Sequence, residues 1–121
     1  YHIGNMMMRD GELVIIDFDR FSFGDPWEEF NRIVWCAQKV PFFGAGMLDG
    51  YFDFAIPEAF WRCLAFYIGS NTLASISWAM DFGEGEIAVM KQQAKEVFCW
   101  YDNFKTVYPG WYLKCKRELK I

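Results

Sequence analysis

The sequence is poor in the residues that build metal-bound or disulfide-stapled domains. It has one histidine, His2, and four cysteines, Cys36, Cys63, Cys99 and Cys115. No Cys-x-x-Cys pair occurs and the cysteine spacings are wide, which argues against a Cys/His zinc site. Asn-x-Ser/Thr sequons are absent, and no secretory leader is recognisable. Reduced thiols in a cytoplasmic protein are the expectation. With 10 Gly and 4 Pro, the chain is neither collagen-like nor of low complexity.

Positive charge is also scarce. Twelve Lys and Arg stand against 16 Asp and Glu, a net charge of −4. Four of the basic residues, Lys114, Lys116, Arg117 and Lys120, crowd together at the end. That leaves no basic face of the kind nucleic-acid binding needs. The basic end reads as a solvated helix terminus, where cations favour the dipole. The acidic remainder suits a cationic ligand, a metal or solubility. Cys63 to Met80 runs 18 residues without a charge, the length at which a membrane span is considered. Yet Gly69, Ser70, Asn71, Thr72, Ser75 and Ser77 lie inside it, and Arg62 and Asp81 flank it. A buried helix with a polar stripe is expected, and no membrane partner.

Aromatic residues are plentiful. Thirteen Phe, 6 Tyr and 6 Trp make 21% of the chain, and hydrophobic residues 54%, which excludes a disordered chain. A chain of 121 residues holds one domain and leaves much of its surface outside. The apolar content therefore exceeds what one such domain buries. An exposed apolar face is expected, pairing with another lobe or with a second copy.

Residues 6–9 and 12–18 read as two strands joined at Asp10-Gly11, a strong hairpin signal. The run Leu13-Val14-Ile15-Ile16 predicts a second strand buried on both faces. Asp25 as N-cap, Pro26 at the first helical position and Glu28 and Glu29 in the first turn predict a helix. Phe30, Ile33, Val34 and Ala37 form its buried face, and Pro41 ends it. Residues 41–50 are read as a loop or short helix. A second helix starts at Pro57-Glu58 with Phe60, Trp61, Leu64, Ala65 and Ile68 inward, and bends or breaks at Gly69–Asn71 before running on to Met80. A third spans about 86–107 on Ile87, Met90, Ala94, Val97, Phe98 and Tyr101, and Pro109-Gly110 stops it. A short terminal helix or tail follows from Trp111. The fold class is mainly α with a small β-hairpin, α+β.

Two polar residues bracket the hairpin, Asn5 before the first strand and Asp17 at the end of the second. A three-residue turn sets them directly opposite each other. A two-residue turn sets them diagonally, about 7 Å apart. Either register gathers an amide and a carboxylate at one end. Such hard oxygen ligands are the kind Mg²⁺ accepts alongside waters and phosphate oxygens. Equally, Asn5 simply opens a turn and Asp17 simply ends a strand.

Tyr1-His2-Ile3-Gly4-Asn5, the hairpin, Ile16-Asp17-Phe18-Asp19-Arg20 and Gly24-Asp25-Pro26 together resemble the aminoglycoside phosphotransferase family. That family is akin to the choline kinases and has a protein-kinase-like fold. The three motifs fall in register over residues 1–30. The resemblance implies that residues 1–121 are the C-terminal lobe, which carries the catalytic loop and substrate site. It also implies that the N-terminal nucleotide-binding lobe is absent. Asn5 and Asp17 would hold Mg²⁺, with Asp19 as a further metal candidate, and ATP would be the co-substrate. His2 would order the catalytic loop. Asp25 would cap and anchor, and Glu29 stands where the family usually has Asp. The family's catalytic Asp would fall just before Tyr1, so the chain alone is expected to be inactive. The acceptor would be a hydroxyl of a small, cationic molecule such as an aminoglycoside, held by Trp35, Trp78, Asp81, Glu84 and Glu86 through carboxylates and aromatic faces. The competing reading is a non-catalytic helical interaction module or kinase relic acting through a partner.

Overall fold

The computed structural model describes residues 3–19 and 22–119. A short 3₁₀ turn, Ile3–Asn5, leads into strand β1, Met6–Arg9, which pairs antiparallel with β2, Glu12–Ile15. Met6 faces Ile15 and Arg9 faces Glu12, so the turn is the two residues Asp10-Gly11. Their φ angles are 53° and 83°, the left-handed pair that a two-residue turn needs to match strand twist. Gly11 adopts it without a Cβ penalty.

β2 departs from expectation in two ways. It ends at Ile15 rather than running to residue 18, because Asp17 turns left-handed at φ 67° and leaves the extended region. Nor is it buried on both faces. Leu13 is 53% exposed and Ile15 and Ile16 are each 39% exposed. Among the described residues the sheet has just these two strands, so no further strand shields the apolar run.

Asp25 starts the helical part as expected. Its Oδ1 accepts from Trp27 N at 3.0 Å, and Pro26 takes the first position. The first turns are 3₁₀, Pro26–Ile33, and become α1 at Val34–Lys39. Phe30, Ile33, Val34 and Ala37 are all buried. Pro41 ends α1 and opens α2, Pro41–Tyr51. Proline suits a helix N-terminus, where its missing N–H is not needed.

Helix α3, Glu58–Ala79, is continuous. It runs unbroken through Gly69–Asn71, where a bend or break is expected from the sequence. Gly69 serves a close approach instead, since a Cβ there would sit 3.3 Å from the Phe104 ring. Ser75 Oγ donates to Asn71 O at 2.7 Å, which satisfies part of the polar stripe within the helix. Among the described residues no helix is long and apolar enough to cross a membrane.

Helix α4, Glu84–Trp100, ends seven residues before the expected limit of Val107. Asp102, Asn103 and Phe104 all turn left-handed, at φ 47°, 54° and 60°. Asp and Asn tolerate that region best. Helix α5, Gly110–Leu119, then packs on α2.

The core gathers around Phe60, which is fully buried. Its ring meets Trp27, Phe30, Phe52 and Trp61 at centroid distances of 5.6, 5.5, 4.6 and 5.5 Å. The predicted α3 stripe of Phe60, Trp61, Leu64, Ala65 and Ile68 is wholly buried. On α4 the pattern is looser. Met90, Val97 and, just past its end, Tyr101 are buried, Ile87 and Ala94 half-buried, and Phe98 is exposed.

The basic end is not uniformly solvated. Lys114 pairs with Glu118 at 3.8 Å on the surface. Lys116 instead reaches Asp49 Oδ2 at 3.0 Å, and its side chain is only 21% exposed. Asp49 itself is 5% exposed and takes a second bond, 2.6 Å from the Tyr112 hydroxyl. A second polar tie joins α1 to α4. Buried Gln93 donates to Gln38, which donates to Glu96 at 2.7 Å.

Candidate functional site

The two-residue turn sets Asn5 opposite Ile16, and Ile16 N donates to Asn5 O at 3.0 Å. Asp17 is therefore the diagonal neighbour. Its left-handed backbone closes that diagonal, and Asn5 Nδ2 lies 3.4 Å from Asp17 Oδ2. A non-glycine residue held at positive φ carries strain, and such strain gathers at functional sites. The hairpin thus delivers one amide and one carboxylate to a single point.

Asp19 follows on the same segment, is exposed, and makes no hydrogen bond or ion pair with Asn5 or Asp17 among the described residues. No cluster of three or more His, Cys, Asp or Glu side chains suited to a metal occurs among them. His2 lies outside the described residues.

Asp25 does more than cap. While Oδ1 accepts from Trp27 N, Oδ2 accepts from the Tyr67 hydroxyl at 2.6 Å. Both bonds favour the ionised carboxylate, so Asp25 is held below its ordinary value of 3.8, the Tyr67 bond contributing most. The same bond to Asp25 is the main reason the Tyr67 phenol is pushed up to about 12. Tyr67 sits on α3, 42 residues further along the chain. Nothing local in the sequence marks it, since the pairing exists only once α3 packs on the 3₁₀ segment. Glu29 is exposed on that segment.

The five candidate substrate residues fall into two places. Trp78 lies in the last turn of α3, exposed, with its ring 4.3 Å from that of Phe82. Asp81, Glu84 and Glu86 follow within the next turn and the start of α4. Trp35 packs against the hydrophobic core from α1. No hydrogen bond, ion pair or ring contact among the described residues joins it to the Trp78 group.

The model of the phosphotransferase enzyme family, APH, matches residues 1–67, more than half of the chain. The chain belongs to this family. The match spans Asn5, the hairpin, Asp17, Asp25 and the α3 residues through Tyr67, and so covers the three motifs that resemble the aminoglycoside phosphotransferases. The second half of α3, α4 and α5 lie beyond it. No curated protein and no solved structure matches the chain.

For a phosphotransferase, an amide and a carboxylate at the end of a hairpin make a donor set with a clear chemistry. Mg²⁺ is typically bound by one or two carboxylates and completed by waters and phosphate oxygens. Asn5 and Asp17 fit that demand, and a cage of three protein carboxylates is not required.

Proposed function

We propose that this chain carries the metal-binding part of an ATP- and Mg²⁺-dependent phosphotransferase that moves a γ-phosphate to a hydroxyl of a small, cationic molecule. The observation that supports it most is the 3.4 Å approach of Asn5 to Asp17 at the end of the hairpin, within the family-matched segment. Asn5 and Asp17 would hold Mg²⁺, with Asp19 close by in sequence. Mg²⁺ supplies charge neutralisation of the phosphates, the main need in phosphoryl transfer.

The chain's own groups set the frame. The Ile16–Asn5 backbone bond fixes the hairpin end. Asp25 fixes the start of the 3₁₀ segment. The surrounding fold is read as the C-terminal lobe of a protein-kinase-like enzyme. Exposed Met7, Met8, Leu13 and Phe18 on and beside the hairpin would then form the apolar surface on which a nucleotide-binding lobe packs. The free thiols of all four cysteines support a reducing, cytoplasmic setting.

Trp78, Asp81, Glu84 and Glu86 are the proposed contacts for a cationic acceptor. Two exposed rings, Trp78 and Phe82, share a short stretch of chain with these carboxylates, and rings together with carboxylates favour ammonium groups.

Paramagnetic Mn²⁺ titrated into the ¹⁵N-labelled chain tests the metal reading. Resonances of Asn5 and Asp17 should broaden first, and Asn5→Ala and Asp17→Ala should each abolish the effect. Broadening confined to other carboxylates, or unchanged in both variants, would sink it. An aminoglycoside titrated into the same sample should shift Trp78, Asp81, Glu84 and Glu86. Shifts elsewhere alone would reject this acceptor site.

A further inference from the structure

We infer that Tyr67 is a positioning residue for the Asn5–Asp17 metal site, acting through Asp25. The inference rests on the metal reading proposed above.

The chain that carries Asp17 and Asp19 is tied at both ends. At its start, Ile16 N bonds to Asn5 O at 3.0 Å, and the Asn5 amide meets Asp17. At its finish, both oxygens of Asp25 are engaged. Oδ1 takes Trp27 N at 3.0 Å and Oδ2 takes the Tyr67 hydroxyl at 2.6 Å. The first of these bonds is local, two residues apart, and belongs to the helix cap. The second crosses 42 residues to α3. Among the described residues it is the one side-chain hydrogen bond tying the Gly24-Asp25-Pro26 turn to the long helix behind it.

Tyr67 suits that task. It lies between Leu64 and Ile68, both essentially fully buried. Its backbone is therefore set in a helix anchored in the core on both sides of it. Its bond to an ionised acceptor is short and charge-assisted. A phenol has few rotatable bonds, so little motional freedom is lost when it holds a loop.

The consequence concerns metal affinity more than stability. Asp17 sits in the left-handed region, a conformation that persists only where its surroundings hold it. Loosening the Asp25 end lets the segment leave that conformation, which lowers the fraction of molecules ready to bind a cation. The pair is solvent-facing, so its loss takes little from the core.

The test uses Tyr67→Phe and Asp25→Asn in the full chain, with Mn²⁺ as the probe. A net hydrogen bond to a charged group predicts Mn²⁺ affinity weakened by about tenfold in Tyr67→Phe, with only a small drop in the thermal midpoint because the bond lies at the surface. Asp25→Asn, which keeps an acceptor for the cap but loses the charge, should weaken it to a similar degree. Equal Mn²⁺ affinity in wild type and Tyr67→Phe overturns the inference. So does a lowered midpoint with affinity intact, which would make Tyr67 a structural tie only. Amide exchange at Ile16–Asp19 separates the two readings. If wild type shows no Mn²⁺ binding at Asn5 and Asp17, the metal reading fails. Faster exchange in Tyr67→Phe would still support the clamp, and unaltered exchange would overturn it.

Discussion

Lys116 Nζ lies 3.0 Å from Asp49 Oδ2 and joins α5 to α2 beneath the surface. The ammonium also sits 5.6 Å from the Phe54 ring centroid and 5.8 Å from that of Tyr112. Tyr112 completes the carboxylate at 2.6 Å. With Asp49 5% exposed, removing Lys116 leaves a buried charge supported by one hydroxyl. Lys116→Met should therefore destabilise the chain by about 3 kcal/mol. The double change Asp49→Asn with Lys116→Met should recover much of that loss, because no uncompensated charge remains. Urea unfolding of both variants measures it, and a single variant within 0.5 kcal/mol or so of wild type would contradict the assignment.

Phe60 touches four other aromatic rings at the centre of the fold, and it is fully buried. Truncation removes a large apolar surface and leaves a cavity that rings on four sides fill poorly. Phe60→Ala should cost about 3–5 kcal/mol. Phe66→Ala, six residues along α3 but 67% exposed, should cost under 1 kcal/mol or so. Similar losses at both positions would mean that the core lies elsewhere.

The helical stripes were legible in the sequence because burial on a helix follows its own period. Phe60, Trp61, Leu64, Ala65 and Ile68 needed no tertiary information. The hairpin turn was legible too, since Asp-Gly suits the backbone angles that the turn requires. The Asn5–Asp17 pair was legible as two open registers, and the observed left-handed Asp17 decides how they meet. What was hidden depends on distant partners. Gly69 looked like a helix breaker because Phe104 lies 35 positions away. Lys116 looked solvated because Asp49 belongs to another helix. Tyr67 carried no local signal for the same reason. The early end of α4 had a signal, the adjacent Asp102-Asn103, outweighed by the more conspicuous Pro109-Gly110.

The Asp25–Tyr67 bond predicts two opposite pH dependences. Asp25 is held below its ordinary 3.8, so its contribution is present above that value and fades as pH falls through the lowered one. Tyr67 is raised from 10.0 to about 12, so its contribution is complete below pH 10 and is lost as pH rises from there through about 12. Ultraviolet titration of the phenolates should show one tyrosine ionising near pH 12 that moves back toward 10 in Asp25→Asn. If that substitution leaves every phenol's midpoint in place, the bond is absent in solution.

The cysteines should separate by burial. Cys36 and Cys115 are 0% and 2% exposed, and burial pushes both thiols above their ordinary value. Since the thiolate is the nucleophile, both lose reactivity twice, through access and through ionisation. Cys99 lies exposed on α4 and Cys63 half-buried on α3. Iodoacetamide at pH 8, followed by peptide mass mapping, should modify Cys99 first and Cys63 more slowly. Cys36 and Cys115 should react only when denaturant is added. The order matters for the fold as well as the chemistry, because Cys36 lies on α1 and Cys115 on α5, the two helices that flank α2. Labelling of Cys36 or Cys115 in the native chain as fast as Cys99 would show that α1 or α5 does not pack as described.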